Sequence, residues 1–372
     1  MPHQVKTRLR VITAISLALI LAACSTTPPL PESEFEAPVF PSRPDAPRFI
    51  FERTLRYNSN VEIPSRMEVL RRYATGVEEE TKGLVKPFAV AVRDGRIYVT
   101  DTVQRAVIMF DIKGAQYKEF GRDKPAELGK PAGLAISSLN ELFVADVSHR
   151  RITVFDLDGK FLRFLGGPQQ FQRPTGVAVS PDGLRLYVID TGGVDSADHD
   201  MYILDARTGG LITKVGGRGT EPGQFNLPLQ VTTAADGTVY VVDKGNFRVQ
   251  AFNHEGHYLH NFGTIGRYPG QFFSPKGIAT DPTGNVYVVD TAFGNVQIFD
   301  PTGTLLMVIG QRGQSSKPGN YMLPAGVAVD ESGRVYIVDQ FFRKVDVYRP
   351  LTADETAQAA AENEDKAQLS KK

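Results

Sequence analysis

The sequence predicts an all-β chain folded as a six-bladed β-propeller with four-stranded antiparallel blades, and three observations carry the prediction. A proline-headed phrase returns at Pro87 ("KPFAVAV"), Pro131 ("KPAGLAI"), Pro174 ("RPTGVAV"), Pro228 ("LPLQVTT"), Pro275 ("SPKGIAT") and Pro324 ("LPAGVAV"), at intervals of 43 to 54 residues. A β-branched and aromatic phrase then closes on an acid each time, at Asp101, Asp146, Asp190, Asp243, Asp290 and Asp339. After it come a third strand such as "ITVFD", a glycine turn such as "DLDGK", and a fourth strand such as "FLRFLGG".

Taken from the N-terminus, residues 1–23 combine a basic head (Lys6, Arg8, Arg10), a short apolar run and small residues, the parts of an export signal. The run is shorter than the roughly 20 residues of a membrane-spanning helix. "LAAC" at Leu21 to Cys24 resembles a bacterial lipoprotein box, which implies that Cys24 is lipidated and becomes the first mature residue. Ser25, rather than Asp, follows it; by the same resemblance the protein is expected at the outer membrane of a Gram-negative bacterium, facing the periplasm. Cys24 is the only cysteine, so the fold is expected to hold without disulfides. Residues 24–47 are rich in proline and read as an extended tether.

The propeller is placed at residues 48–350. Its last repeat stops after a third strand, "VDVYRP", which would leave an unpaired edge. Residues 48–60, with "RFIFERTLRY", are therefore expected to close the ring as the outer strand of the last blade. Residues 61–84 hold a short helix in "SRMEVLRRYATG", where Met67, Leu70 and Tyr73 recur at helical spacing and Gly76 suits the end; it is expected to cover a rim. The repeats fill 85–350, and 351–372 reads as a polar tail. The Pro–x–Gly–[Val/Ile]–Ala strand, the "[YF]V–x–D" strand and third strands of the "NFRVQAF" kind resemble the NHL-repeat family from about Pro87 to Pro350. Blade three departs from that pattern through an insertion, "DTGGVDSADHDMYILD".

An aspartate present in every blade reads as structural, accepting backbone N–H bonds where strand two turns into strand three. Function should lie where the blades differ. The loops at that end carry many cations, among them Arg105, Arg151, Arg248 and Arg343, with aromatics in "PGQF" (twice), "PGNY", Phe293, Phe341 and Phe342; acidic turns occupy the other end. With 42 Lys+Arg against 42 Asp+Glu there is no overall pull toward nucleic acid, and export argues against it too. The inner strands contain no His, Asp or Glu, so neither a catalytic nor a metal set emerges and no cofactor is expected. His254, His257 and His260 fall on an outer hairpin and read as surface. The insertion, with Asp195, Asp198, His199 and Asp200, is the better candidate for a cation.

The expectation is a lipid-anchored, non-catalytic binding or assembly module meeting an envelope protein or saccharide through Arg105, Arg151, Arg248 and Arg343, monomeric within a larger assembly. The alternatives are a metal-assisted lyase or hydrolase of the propeller type, which the resemblance allows, and a scaffold of an exported polysaccharide or electron-transfer system.

Overall fold

The computed structural model describes residues 36–42, 45–76, 81–193 and 195–358; the stretch read as an export signal, Cys24, most of the stretch read as a tether and the end of the tail lie outside them. The chain divides into two units, Met1–Glu36 and Ala37–Lys372, and the second is the propeller. Each blade is an antiparallel sheet read from the channel outward. In blade one the strands are Pro87–Arg93, Arg96–Asp101, Ala106–Asp111 and Gln116–Phe120. Blades two to five repeat this order, and their first strands begin at Pro131, Pro174, Pro228 and Pro275.

The hydrophobic core is divided into clusters that lie between blades, because each strand's alternating residues face the sheets on either side. Val289 and Ile298 of blade five pack with Val327 and Ile337 of blade six, and Leu142 and Val144 of blade two pack with Tyr98 and Met109 of blade one. Leu55, Val345 and Val338 join Val90 and Ile97, so the same device seals the last blade to the first.

Closure uses the N-terminal strand. β2 (Phe49–Leu55) pairs antiparallel with the final strand, Lys344–Pro350, with Phe49 opposite Pro350 and Leu55 opposite Val345. Polar groups lock that seam: Thr54 donates to Asp346 at 2.7 Å, Lys344 Nζ pairs with Asp346, and the Tyr321 and Tyr348 hydroxyls meet at 2.8 Å. Lys344 and Asp346 are both fully buried. Burial pulls Lys344 down and pushes Asp346 up, against the pull of the pair itself.

Two expectations need correcting. The stretch read as tether up to Pro47 is already in the sheet at β1 (Val39–Phe40), which pairs with Phe49 and Ile50, and Phe40 packs edge-on against Tyr348. A two-residue strand between prolines leaves no periodic signal. The helix was expected to cover a rim; it forms as α1 (Arg66–Thr75), but its Met67, Leu70 and Tyr73 are 74%, 60% and 86% exposed, so that face covers nothing.

Around the channel the inner strands nearly touch. A register irregularity follows the heading proline in every blade and brings the next residues toward the axis. A Cβ on Gly277 would lie 2.6 Å from the Ala325 carbonyl oxygen, and one on Gly326 would lie 2.8 Å from that of Phe88. The glycine of Pro–x–Gly is thus required by backbone approach, not by an unusual φ. Gly326→Ala is expected to lower stability by ~2 kcal/mol through overpacking, read as a lower urea midpoint. Gly210→Ala, whose nearest neighbour would be Thr208 Oγ1 at 3.4 Å, is expected to leave the midpoint unchanged.

Candidate functional site

Pairing puts the start of strand one, the end of strand two and the start of strand three at one end of each blade: Pro87 faces Asp101, which faces Ala106. The repeated aspartates occupy that loop face, fully or almost fully buried. Asp339 accepts N–H bonds from Met322 and Leu323, at 2.8 and 3.1 Å, and from Phe341 and Phe342, both at 2.8 Å. Asp101 and Asp290 repeat the four bonds with their own loops. Asp146 does likewise and adds the His149 ring. Asp190 holds Gln172, Arg173 and Gly192, and Asp243 holds Asn226, Asn246, Arg248 and Gln250. Each aspartate therefore clamps its own turn to the loop arriving from the previous blade, and the sequence pointed only to the turn.

The clamps differ electrostatically. Burial pushes Asp146 up, but the N–H bonds from Lys130 and Gly129 and the His149 contact outweigh it, leaving the carboxyl below its usual range. At Asp243 burial wins over Asn226, Asn246 and Arg248, and the carboxyl lies above its usual range.

Counting from the clamp separates the four candidate arginines into two kinds. Arg105 and Arg343 stand four residues after their aspartates, in left-handed backbone with φ of 55° and 53°, and both are exposed. Arg150, at φ 52°, occupies the same position in blade two. These three make no ion pair among the described residues. Arg151 and Arg248 stand one residue later and turn inward. Arg248 is pinned by Asp243 at 2.9 Å and by the carbonyls of Glu221 and Gln224. Arg151 lies over the Phe164 ring at 3.6 Å and donates to the Glu127 carbonyl; burial lowers its pKa. Of the four arginines singled out in the sequence, Arg105 and Arg343 are exposed together with Arg150, whereas Arg151 and Arg248 are engaged by the protein itself.

The aromatics divide in the same way. Phe225, Phe272 and Tyr321 of the "PGQF" and "PGNY" loops are fully buried between blades, whereas Tyr268, Phe273 and Phe341 are exposed.

The blade-three insertion commits its polar groups internally. Asp198 accepts from Gln172 at 2.7 Å, and Asp200 accepts from Lys214 at 3.2 Å and from the Gly217 N–H at 2.9 Å. His199 is fully buried, with Nδ1 3.2 Å from the Leu227 N and 3.4 Å from the Phe225 carbonyl oxygen, and Nε2 3.2 Å from the Gly193 carbonyl oxygen. Among the described residues no three His, Cys, Asp or Glu side chains converge as metal ligands. His254 and His257 are solvent-exposed, as the outer hairpin implied.

The channel has two ends. A cavity of about 440 Å³ opens on the turn face, walled by Val, Ile and Ala of the inner strands, with Arg93 and Glu331 3.6 Å apart at its mouth. At the loop face the residues following the six prolines are Phe88, Ala132, Thr175, Leu229, Lys276 and Ala325. Lys276 is the one cation among them. It donates to Gln340 Oε1 at 2.9 Å and lies 4.9 Å from the centre of the Phe88 ring. Burial, with Lys244 and Lys86 nearby, pulls its pKa down to about 8.

A family described as a 6-bladed beta-propeller matches residues 281–354. NHL repeat-containing protein 3 of Homo sapiens is 35% identical over 99 residues, which cover 23% of this chain and 24% of that protein. The chain spans between 7% and 31% of the length of the curated relatives it matches. Among solved structures, a protein of unknown function from Bacteroides thetaiotaomicron superposes with a TM-score of 0.59 at 16% identity, over 73% of this chain and 71% of that one. A gluconolactonase from Xanthomonas campestris superposes with a TM-score of 0.55 at 18% identity, over 72% and 87%. At these identities the two structures share the fold alone. With the blade architecture and these likenesses together, the chain is a six-bladed β-propeller whose repeats are similar to those of NHL repeat-containing proteins.

Proposed function

We propose that this propeller is a non-catalytic binding module of the cell envelope, held at the outer membrane by a lipid on Cys24 and facing the periplasm. Its loop face meets a negatively charged envelope protein or saccharide. The observation that carries the reading is the set Arg105, Arg150 and Arg343: exposed, without an ion pair among the described residues, and standing in left-handed backbone that favours glycine. Tyr268, Phe273 and Phe341 offer rings on the same face for an apolar or sugar surface.

The test is a crosslinking capture from intact envelopes with the lipidated protein and with Arg105, Arg150 and Arg343 changed to Glu. A partner taken only by the unaltered protein supports the reading; identical captures from both overturn it. The anchor is read separately: a fatty-acid label is expected on the protein and lost in Cys24→Ser.

Glycine at the same positions separates binding from folding. Arg343→Gly removes the charge while relieving the left-handed strain, so stability is expected to hold or rise by up to ~1 kcal/mol while capture falls. Thermal unfolding run beside the capture checks both.

A further inference from the structure

We propose that the loop-face mouth of the channel binds an oxyanion, a carboxylate or phosphate group, seated on Lys276 and flanked by Lys86 and Lys244. Lys276 is the second residue of the inner strand of blade five, and it meets Phe88 of blade one and Gln340 of blade six. Ala325 stands at the equivalent position of blade six. Lys86 immediately precedes the first inner strand, and Lys244 immediately follows the Asp243 clamp, so both belong to the same ring of loop starts.

None of these three ammonium groups has a carboxylate partner among the described residues. Asp339 is the acid that acts on Lys276, and its oxygens are already occupied by four backbone N–H groups. A half-buried cation beside two more, with its nearby acid committed elsewhere, is an unfavourable arrangement for the empty protein and a favourable one for an anion. The Gln340 side-chain oxygen is a poor substitute for a counter-charge, and rotation of its amide would present a donor to the ligand instead. The depressed pKa agrees with this, because an anion at Lys276 would raise it back toward the ordinary lysine range.

The inference rests on the loop face being the face that meets ligands, but its test needs no partner. Protein labelled with 13C at lysine Cε is titrated at pH 7 with inorganic phosphate and, separately, with glucuronate, using chloride to hold ionic strength constant. The Lys276 signal is expected to move saturably with at least one of them, with Kd near ~1 mM or below. The stronger of the two identifies the phosphate or carboxylate source. Lys276→Met should weaken binding at least tenfold while melting no lower than the parent, since it removes a repelled cation. Lys160→Met, on the opposite face, should bind as the parent does.

No saturable shift with either anion, or undiminished binding in Lys276→Met, overturns the site. Loss of the site with partner capture intact leaves the module reading standing; capture lost with the titration intact does the reverse.

Discussion

Asp339→Ala is expected to lower stability by ~4 kcal/mol, one of the two largest single-residue effects proposed for this fold. The carboxylate is fully buried and accepts four N–H groups, two from the loop leaving blade five and two from its own turn. Hydrogen bonds to a charged group contribute about 1.5–3 kcal/mol each, and buried donors left without an acceptor add about 1–3 kcal/mol. Loop relaxation and water recover part of that sum. Asp339→Asn keeps one acceptor oxygen but turns an NH2 toward the other pair, so it should fall between. Urea unfolding reads both variants; a loss below ~1 kcal/mol for alanine would mean that the clamp is ornamental. The clamps also predict part of the acid response. Asp146, held below its unfolded pKa of roughly 3.9, contributes stability that is complete above that value and is lost as pH falls through the folded one. Asp146→Ala should accordingly flatten the acid limb of the stability–pH curve.

Lys344→Met is expected to lower stability by ~3–5 kcal/mol, because it strands Asp346 without a counter-charge in a fully buried seam. The pair is not intrinsically a strong stabiliser. Burial works against both charges, so replacing both groups with apolar ones of similar size should recover most of the loss. The informative measurement is the cycle of Lys344→Met, Asp346→Leu and the double variant by chemical unfolding. A double variant as unstable as Lys344→Met would assign the effect to Thr54, which donates to Asp346, and to the Ser316 and Lys317 carbonyls that Lys344 reaches.

The blades were legible because their proline, alternating strand residues and terminal aspartate recur together, and a backbone pattern repeated six times survives local irregularity. β1 escaped because two paired residues between prolines carry no period. The site was legible by type and not by position. Arg343 and Lys344 are adjacent cations in the sequence, yet the left-handed residue ends the turn facing solvent and the next one begins a strand facing the core. Counting from the aspartate would have separated them. Lys276 had a signal too: aligned on the six prolines, it is the only charge in a column of Phe, Ala, Thr, Leu and Ala. Attention to metal-ligating acids and histidines passed over an amine.

The pairing of β2 with the final strand also sets a schedule. Thr54 and its acceptor Asp346 are 292 residues apart, so a strand made near the start of the propeller waits for the last one. At roughly 5–20 residues per second that interval is about 15–60 s, long enough for five blades to assemble from neighbouring sequence while β2 remains an open edge. A chain released before Lys344 would have five finished blades and no ring. The closing blade thus makes completion of synthesis a condition of closure, and a chaperone that shields β2 during the wait would act on a strand made early rather than on the last.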